Sequence, residues 1–197
     1  MTAPAAVLAL GHMVDLPDRP LPRFPSAEIP RVAAEVRAVL ADWEVGPAST
    51  VVSGGARGAD LIIAEEGHAR GARIVLCLAF PLEEFVRRSV DVPGTDWAAR
   101  FARLARLAEV HVVGDEDGHG AGDAFARAND RMIEAARSID PRPHVIAVWD
   151  GQCGDGPGGT ADMIRQLGVR PPDPRFRLIA PIGRSGAHGD AGVTPPG

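Results

Sequence analysis

The chain reads as one Rossmann-like α/β domain: a doubly wound, mainly parallel sheet of five or six strands with helices on both faces. Three observations predict it. Short, largely apolar runs recur at residues 5–10, 50–53, 73–80, 109–113 and 145–149, as strands buried inside a parallel sheet do. Between them, apolar residues return at spacings of three and four, the period of a helix with one buried face. Two of the runs end in glycine-rich turns that lead into helical stretches, Gly54-Gly55-Ala56-Arg57-Gly58 and Gly156-Pro157-Gly158-Gly159-Thr160, and alternating strand, turn and helix is the pattern of this class.

The elements follow in order. The first strand, 5–10, is apolar on both sides and runs into Gly11 and His12. Prolines at 17, 20, 22 and 25 exclude helix and central strand from the next segment. It is an extended loop at the strand's carboxyl end, where open parallel sheets bind ligands. Arg19 and Arg23 are therefore candidate phosphate partners, or else solvated loop arginines. Ser26 is placed to cap a helix whose stripe is Ile29, Val32, Val36, Val39, Leu40 and Trp43. After the strand at 50–53 and its turn, a helix starts at Ala59 or Asp60 and stops at Gly71. The strand at 73–80 ends at Pro81, and a short helix spans 83–90. Trp97, Phe101, Leu104, Ala105 and Ala108 share the face of another helix, which makes Trp97 and Phe101 packing residues rather than a base-stacking platform.

The strand at 109–113 leads to a loop with Asp115, Glu116, Asp117 and His119. Its spacing is not that of a calcium loop, so it reads as a solvated acidic loop, and no metal is expected. A helix over 122–139 carries Phe125, Ala128, Met132, Ala136 and Ile139 on one face, with Asn129 beside them. The strand at 145–149 ends in Asp150-Gly151, a glycine loop follows to Gly159, and Thr160 opens a helix through 167. Residues 176–182 form a last edge strand. The domain thus spans 1–182, and 183–197, rich in Gly, Pro, Ser and Ala, is expected to be a disordered tail.

Composition limits the function. A chain of 197 residues can bury a full core, about 70% of its unfolded surface at this size. All 21 basic residues are arginine, and the net charge of −5 argues against a broad nucleic-acid or membrane footprint. Cys77 lies in an apolar run and Cys153 in a glycine loop, which gives neither a disulfide framework nor zinc spacing. The apolar run at 5–10 is too short to span a membrane and has no basic region before it, so a cytoplasmic location is expected.

The first turn has a definite chemistry. Backbone N–H groups at a helix start, together with the helix dipole, attract anions. Gly54, Gly55 and Gly58 let a ligand reach the backbone. The turn reads as a nucleotide-phosphate cradle or as an ordinary tight turn, and it carries neither a GxxxxGK[ST] nor a GxGxxG pattern.

Residues Ser53, Gly54, Gly55, Ala56, Arg57, Gly58, Ala59 and Asp60 resemble the SGxARGxD turn of the SLOG superfamily. That superfamily contains the Lonely Guy phosphoribohydrolases, DNA-processing protein A and ligand-sensing domains of bacterial signalling and defence. Pro157, Gly158, Gly159 and Thr160 resemble the PGGxGTxxE motif of Lonely Guy proteins, with one residue missing before the threonine. Counted from that threonine, the family's glutamate falls on Met163. Asp162 is adjacent but turned by about 100° around a helix, and Arg127 or Arg131 would stand in for the family's arginine. The stretch from Gly11 and His12 to Arg23, with Asn129 and Trp149-Asp150-Gly151, is closer to the sensor members.

The resemblance implies a ligand site made of Gly11, His12, Ser53, Gly54, Gly55, Arg57, Gly58, Asp60, Asn129, Asp150, Gly151, Gly158, Gly159 and Thr160. Asp150 or Asn129 would bond a ribose or base, although an aspartate before glycine is also a plain turn former. His12 is read as bonding within its loop rather than as catalytic. The leading expectation is a binding module for a nucleotide or ADP-ribose-like ligand, without a cofactor, acting as a sensor or accessory domain. A second copy or an effector protein is its possible partner. The alternative is an N-glycoside hydrolase of nucleoside monophosphates or NAD-derived nucleotides, using Asp162 with Arg127 or Arg131. Single-stranded DNA binding is the least favoured, on grounds of charge.

Overall fold

The structure is a computed structural model that describes residues 4–114, 121–152 and 159–183. Six strands form one sheet: β1 (Ala6–Gly11), β2 (Thr50–Ser53), β3 (Arg73–Leu78), β4 (Glu109–Val112), β5 (His144–Val148) and β6 (Phe176–Ile179). Every neighbouring pair is parallel, and the order is β4-β3-β2-β1-β5-β6. The helices are α1 (Ile29–Asp42), α2 (Ala59–Ala69), α3 (Leu82–Phe85), α4 (Trp97–Ala105), α5 (Ala121–Ile139) and α6 (Thr160–Leu167).

The chain lays β1 to β4 outward in one direction. It then returns through α5 and adds β5 on the other side of β1. The strand order reverses between β1 and β5, and at such a switch point the flanking loops diverge and leave a crevice.

Both faces of the sheet are covered, which is why the strands are apolar throughout rather than alternating. Val7, Ala9, Val51, Leu76, Leu78, Ile146 and Val148 pack with Val32, Val36, Leu40, Leu61, Ile62 and Phe101. On the opposite face Leu8, Val52, Val75, Cys77, Val145 and Ala147 pack with Met132, Ile133, Ala136 and Met163. Each large side chain so buried contributes about 1.5–3 kcal/mol. Trp97 and Phe101 lie in the core as their spacing requires. Cys77 is buried too, and desolvation pushes its thiol up to about 11.

Several boundaries differ from expectation. Ser26 does not cap α1: Ser26–Glu28 is a 3-10 turn, and Glu28 precedes the helix without a side-chain cap bond. Pro30, in the first turn of α1, lacks the N–H such a cap would have served. The helix expected over 83–90 is the single turn α3 followed by a π-turn, Val86–Val90. The last strand stops at Ile179 because Pro181 follows. Cys153, the 115–120 loop, Gly158 and the 184–197 tail fall outside the described residues. Among those described, no helix is long and apolar enough to cross a membrane.

Candidate functional site

The C-terminal ends of β1, β2 and β5 meet at the switch point, and the first glycine turn follows β2 directly on that edge. The β1 extension docks on β5 through His12 N–H, which donates to Val148 O at 2.9 Å. His12 is buried, and its Nε2 lies 3.0 Å from Asp150 Oδ1. Arg23 Nε donates to Asp150 Oδ2 at 3.0 Å, and Nη2 reaches Oδ1 at 3.4 Å. Gln152 N–H also donates to Oδ1, at 2.9 Å, across Gly151 at φ +81°. Asp150 is thus a turn former and the anchor of a charged cluster at once. Burial works against its ionisation. The Arg23 guanidinium, the Gln152 N–H and His12 outweigh that and hold the carboxyl well below the usual carboxylate range.

The proline-rich loop delivers Arg23. Asp15 Oδ2 accepts the N–H groups of Arg23 at 2.8 Å and Phe24 at 2.9 Å, and Asp15 N–H donates to Phe24 O. With the Phe24 ring fully buried, the loop is pinned at both ends and its arginine is turned back to β5.

The first turn docks on this same loop. Ala59 N–H donates to His12 O at 3.1 Å. A Cβ at Gly58, where φ is +101°, would lie 2.6 Å from Val14 N and 2.7 Å from His12 O. A Cβ at Gly11 would strike Val148 O and stand 2.7 Å from Ala59 Cβ. These two glycines therefore serve backbone-to-backbone packing. Gly55 faces the core, its Cβ position 3.3 Å from Leu78 and Phe101 side-chain atoms.

Three donors of the turn are already engaged. Gly55 N–H donates to Ser53 Oγ, Ala56 N–H to Asp60 Oδ2, and Arg57 N–H to Ser89 O. Ser53 Oγ in turn donates to Asp60 O at 3.1 Å. The Arg57 side chain is buried and donates from Nε to Val14 O at 3.2 Å. Burial pushes its basicity down, opposed by the charge of Asp15. The Arg57 guanidinium thus ties the turn to the β1 loop. The crevice side of the turn is left to Gly54 and to Asp60, whose Oδ2 is 2.7 Å from the Gly54 Cβ position. Asp60 keeps some solvent contact, yet the surrounding backbone desolvates it. Desolvation pushes its carboxyl up to about 7, with the Ala56 N–H working the other way.

At the second turn, Gly159 precedes α6 and Thr160 is buried at its start. Met163 points into the core. Asp162 accepts from Arg165 Nη1 at 2.7 Å and from Gln166 at 3.4 Å. Arg127 donates to Gly114 O at 3.0 Å, and Arg131 sits 3.7 Å from Glu134. Both arginines line a hollow over β4, at the far edge of the sheet from α6. The structure does not bring Asp162, Arg127 and Arg131 together. Helical periodicity places the two arginines on α5 but does not reveal which strand α5 overlies at that point. Asn129 lies on α5 one turn before Met132, whose sulfur is 3.4 Å from the Gly54 Cβ position.

Sequence reasoning missed Asp15, whose role rests on backbone bonds to residues eight and nine positions away. It also missed the exposed apolar residues Met13, Leu16 and Leu21 of the same loop. Among the described residues, no group of His, Cys, Asp and Glu is arranged to hold a metal.

No family model matches the chain, and no curated protein matches it. Among solved structures it is similar to the X-ray structure of DNA processing protein A (DprA) from Streptococcus pneumoniae. The identity is 13% over 90% of this chain, with a TM-score of 0.41. The chain spans 59% of the length of that one, and the likeness is one of fold alone.

Proposed function

We propose that the chain is a binding module for a nucleotide or nucleotide-derived, ADP-ribose-like ligand, held across the ends of β1, β2 and β5, and that it acts as a sensor or accessory domain in signalling or defence. The observation that carries this reading is the Asp150 cluster at the switch point. An ionised carboxylate, fixed by Arg23, His12 and Gln152, is a preorganised acceptor, and Oδ2 keeps capacity for a ribose hydroxyl beside the Arg23 bond. Met13, Leu16 and Leu21 offer apolar surface for a base on the same loop. The start of α6 at Gly159 and Thr160 suits a phosphate. The resemblance of the stretch from Gly11 to Arg23, with Asn129 and Trp149-Asp150-Gly151, to ligand-sensing SLOG domains supports the ligand class.

The hydrolase reading is weaker: Met163 is buried, Asp162 is engaged on its own helix, and the arginines lie over β4. The net charge of −5 weighs against a nucleic-acid ligand. Mass spectrometry of small molecules released from purified protein tests the proposal. A nucleotide-derived species from wild type, absent from Asp150→Asn, is the expected result. A released ligand of another class, retained equally by both proteins, would contradict it.

A further inference from the structure

The two edges of the sheet are built differently. β6 lies between Pro174 and Pro181 and carries Arg177, and Arg31 Nη2 donates to Ala180 O just past its end at 2.7 Å. Proline and charge are the usual guards of an open edge. β4, Glu-Val-His-Val, has neither proline nor a basic side chain other than His111, and among the described residues it pairs with β3 alone. Val110 is 36% and Val112 49% exposed, and Leu107, just before the strand, is 58% exposed. Single exposed apolar residues are ordinary, and Leu178 on β6 is one at 44%, but β4 has three on an edge whose charges, Glu109 and His111, pair with each other at 2.8 Å, which marks a pairing surface.

The register with β3 assigns their faces. Val110 and Val112 pair with Leu76 and Leu78, on the side packed by α1, α2 and α4. Glu109 and His111 pair with Val75 and Cys77, on the α5 side.

We propose that β4 is a homodimer interface, in which a second copy of this chain adds its own β4 antiparallel and extends the sheet through a two-fold axis at His111. A two-fold axis normal to the sheet keeps every side chain on its own face. With His111 opposite His111, each Val110 faces Val112 of the second copy, so the exposed valines cover one another as direct cross-strand pairs. The charges match in the same register. Glu109 falls opposite Val113 of the second copy, beside Gly114, whose carbonyl holds Arg127 Nη2 at 3.0 Å. Within one chain Glu109 pairs with His111 Nε2 at 2.8 Å on the α5 side, and in this register each Glu109 also lies diagonal to His111 of the second copy, so the two pairs meet across the axis. An isologous contact of this kind closes on itself.

Size-exclusion chromatography with light scattering on the full chain tests it. Wild type is expected at twice the 20.6 kDa chain mass. Val112→Lys is expected at the single mass with its circular dichroism unchanged, because the side chain is exposed. Leu178→Lys, on the opposite edge, is expected to remain dimeric. A wild-type protein that stays monomeric as concentration rises would overturn the proposal. So would a Val112→Lys variant as dimeric as wild type, or dissociation by Leu178→Lys alone.

Discussion

Gly58→Ala is expected to lower the melting temperature by roughly 10 °C. Two terms combine. At φ +101° an L-residue stores about 1–3 kcal/mol of backbone strain. The new Cβ would also stand 2.6 Å from Val14 N and 2.7 Å from His12 O. Both are backbone atoms that move only if the β1 loop moves, and His12 O would lose the Ala59 N–H it accepts. Together these exceed about 3 kcal/mol, and a domain of this size shifts by about 2–4 °C per kcal/mol. Gly94→Ala is the control. Its φ is +79° with nothing within 4 Å of the Cβ position, so it tests strain alone, and a loss of about 1 kcal/mol is expected. Equal melting of the two variants would show that the turn does not press on the β1 loop.

Asp60→Asn is expected to stabilise the fold above pH 7 and to change little near pH 4. Asp60 titrates near 7 in the fold against about 3.9 unfolded. Between those values the folded state binds more protons than the unfolded state, so stability falls as pH rises. The contribution of the neutral acid is complete below the unfolded value and lost as pH passes the folded one. Three pH units correspond to about 4 kcal/mol as an upper order of magnitude. Asparagine is uncharged throughout and its carbonyl still accepts the Ala56 N–H. Asp150 acts in the opposite sense: its contribution is present above the ordinary carboxylate range and fades as pH falls below it. Melting curves of wild type and Asp60→Asn from pH 4 to 8 separate the two. A stability difference that does not grow with pH would contradict a carboxyl destabilised by burial. The same ionisation would oppose a phosphate beside Gly54, so any anionic ligand bound there is expected to bind more weakly as pH rises through 7.

The sheet and its helices were legible in the chain because their burial is two-sided and local. β2, its turn and α2 are written in one continuous stretch, and each strand of a parallel sheet shows itself as an apolar run. The site was legible only in part. Gly54 to Gly58 look alike whether they face a ligand or a neighbouring backbone. What separates the two is the β1 loop packed against Gly58, a contact across 44 to 46 positions that no local pattern records. The Arg23–Asp150 pair joins residues 127 apart. Both residues were singled out, each for its own turn or loop, but their meeting depends on β5 returning to β1. The edge position of the last strand was read correctly, but that of β4 was hidden, because it becomes an edge only when the strand order is known.

Calorimetric titration of AMP, NAD and ADP-ribose into wild type and Asp150→Asn tests the central claim most directly, with melting curves establishing that both are folded. Loss of a charge-assisted hydrogen bond is worth about 1.5–3 kcal/mol. The account therefore predicts that wild type binds at least one of the three and that Asp150→Asn binds it about tenfold to a hundredfold more weakly. No binding of any of them by wild type, or equal affinity in the two proteins, would contradict a nucleotide site at the Asp150 cluster.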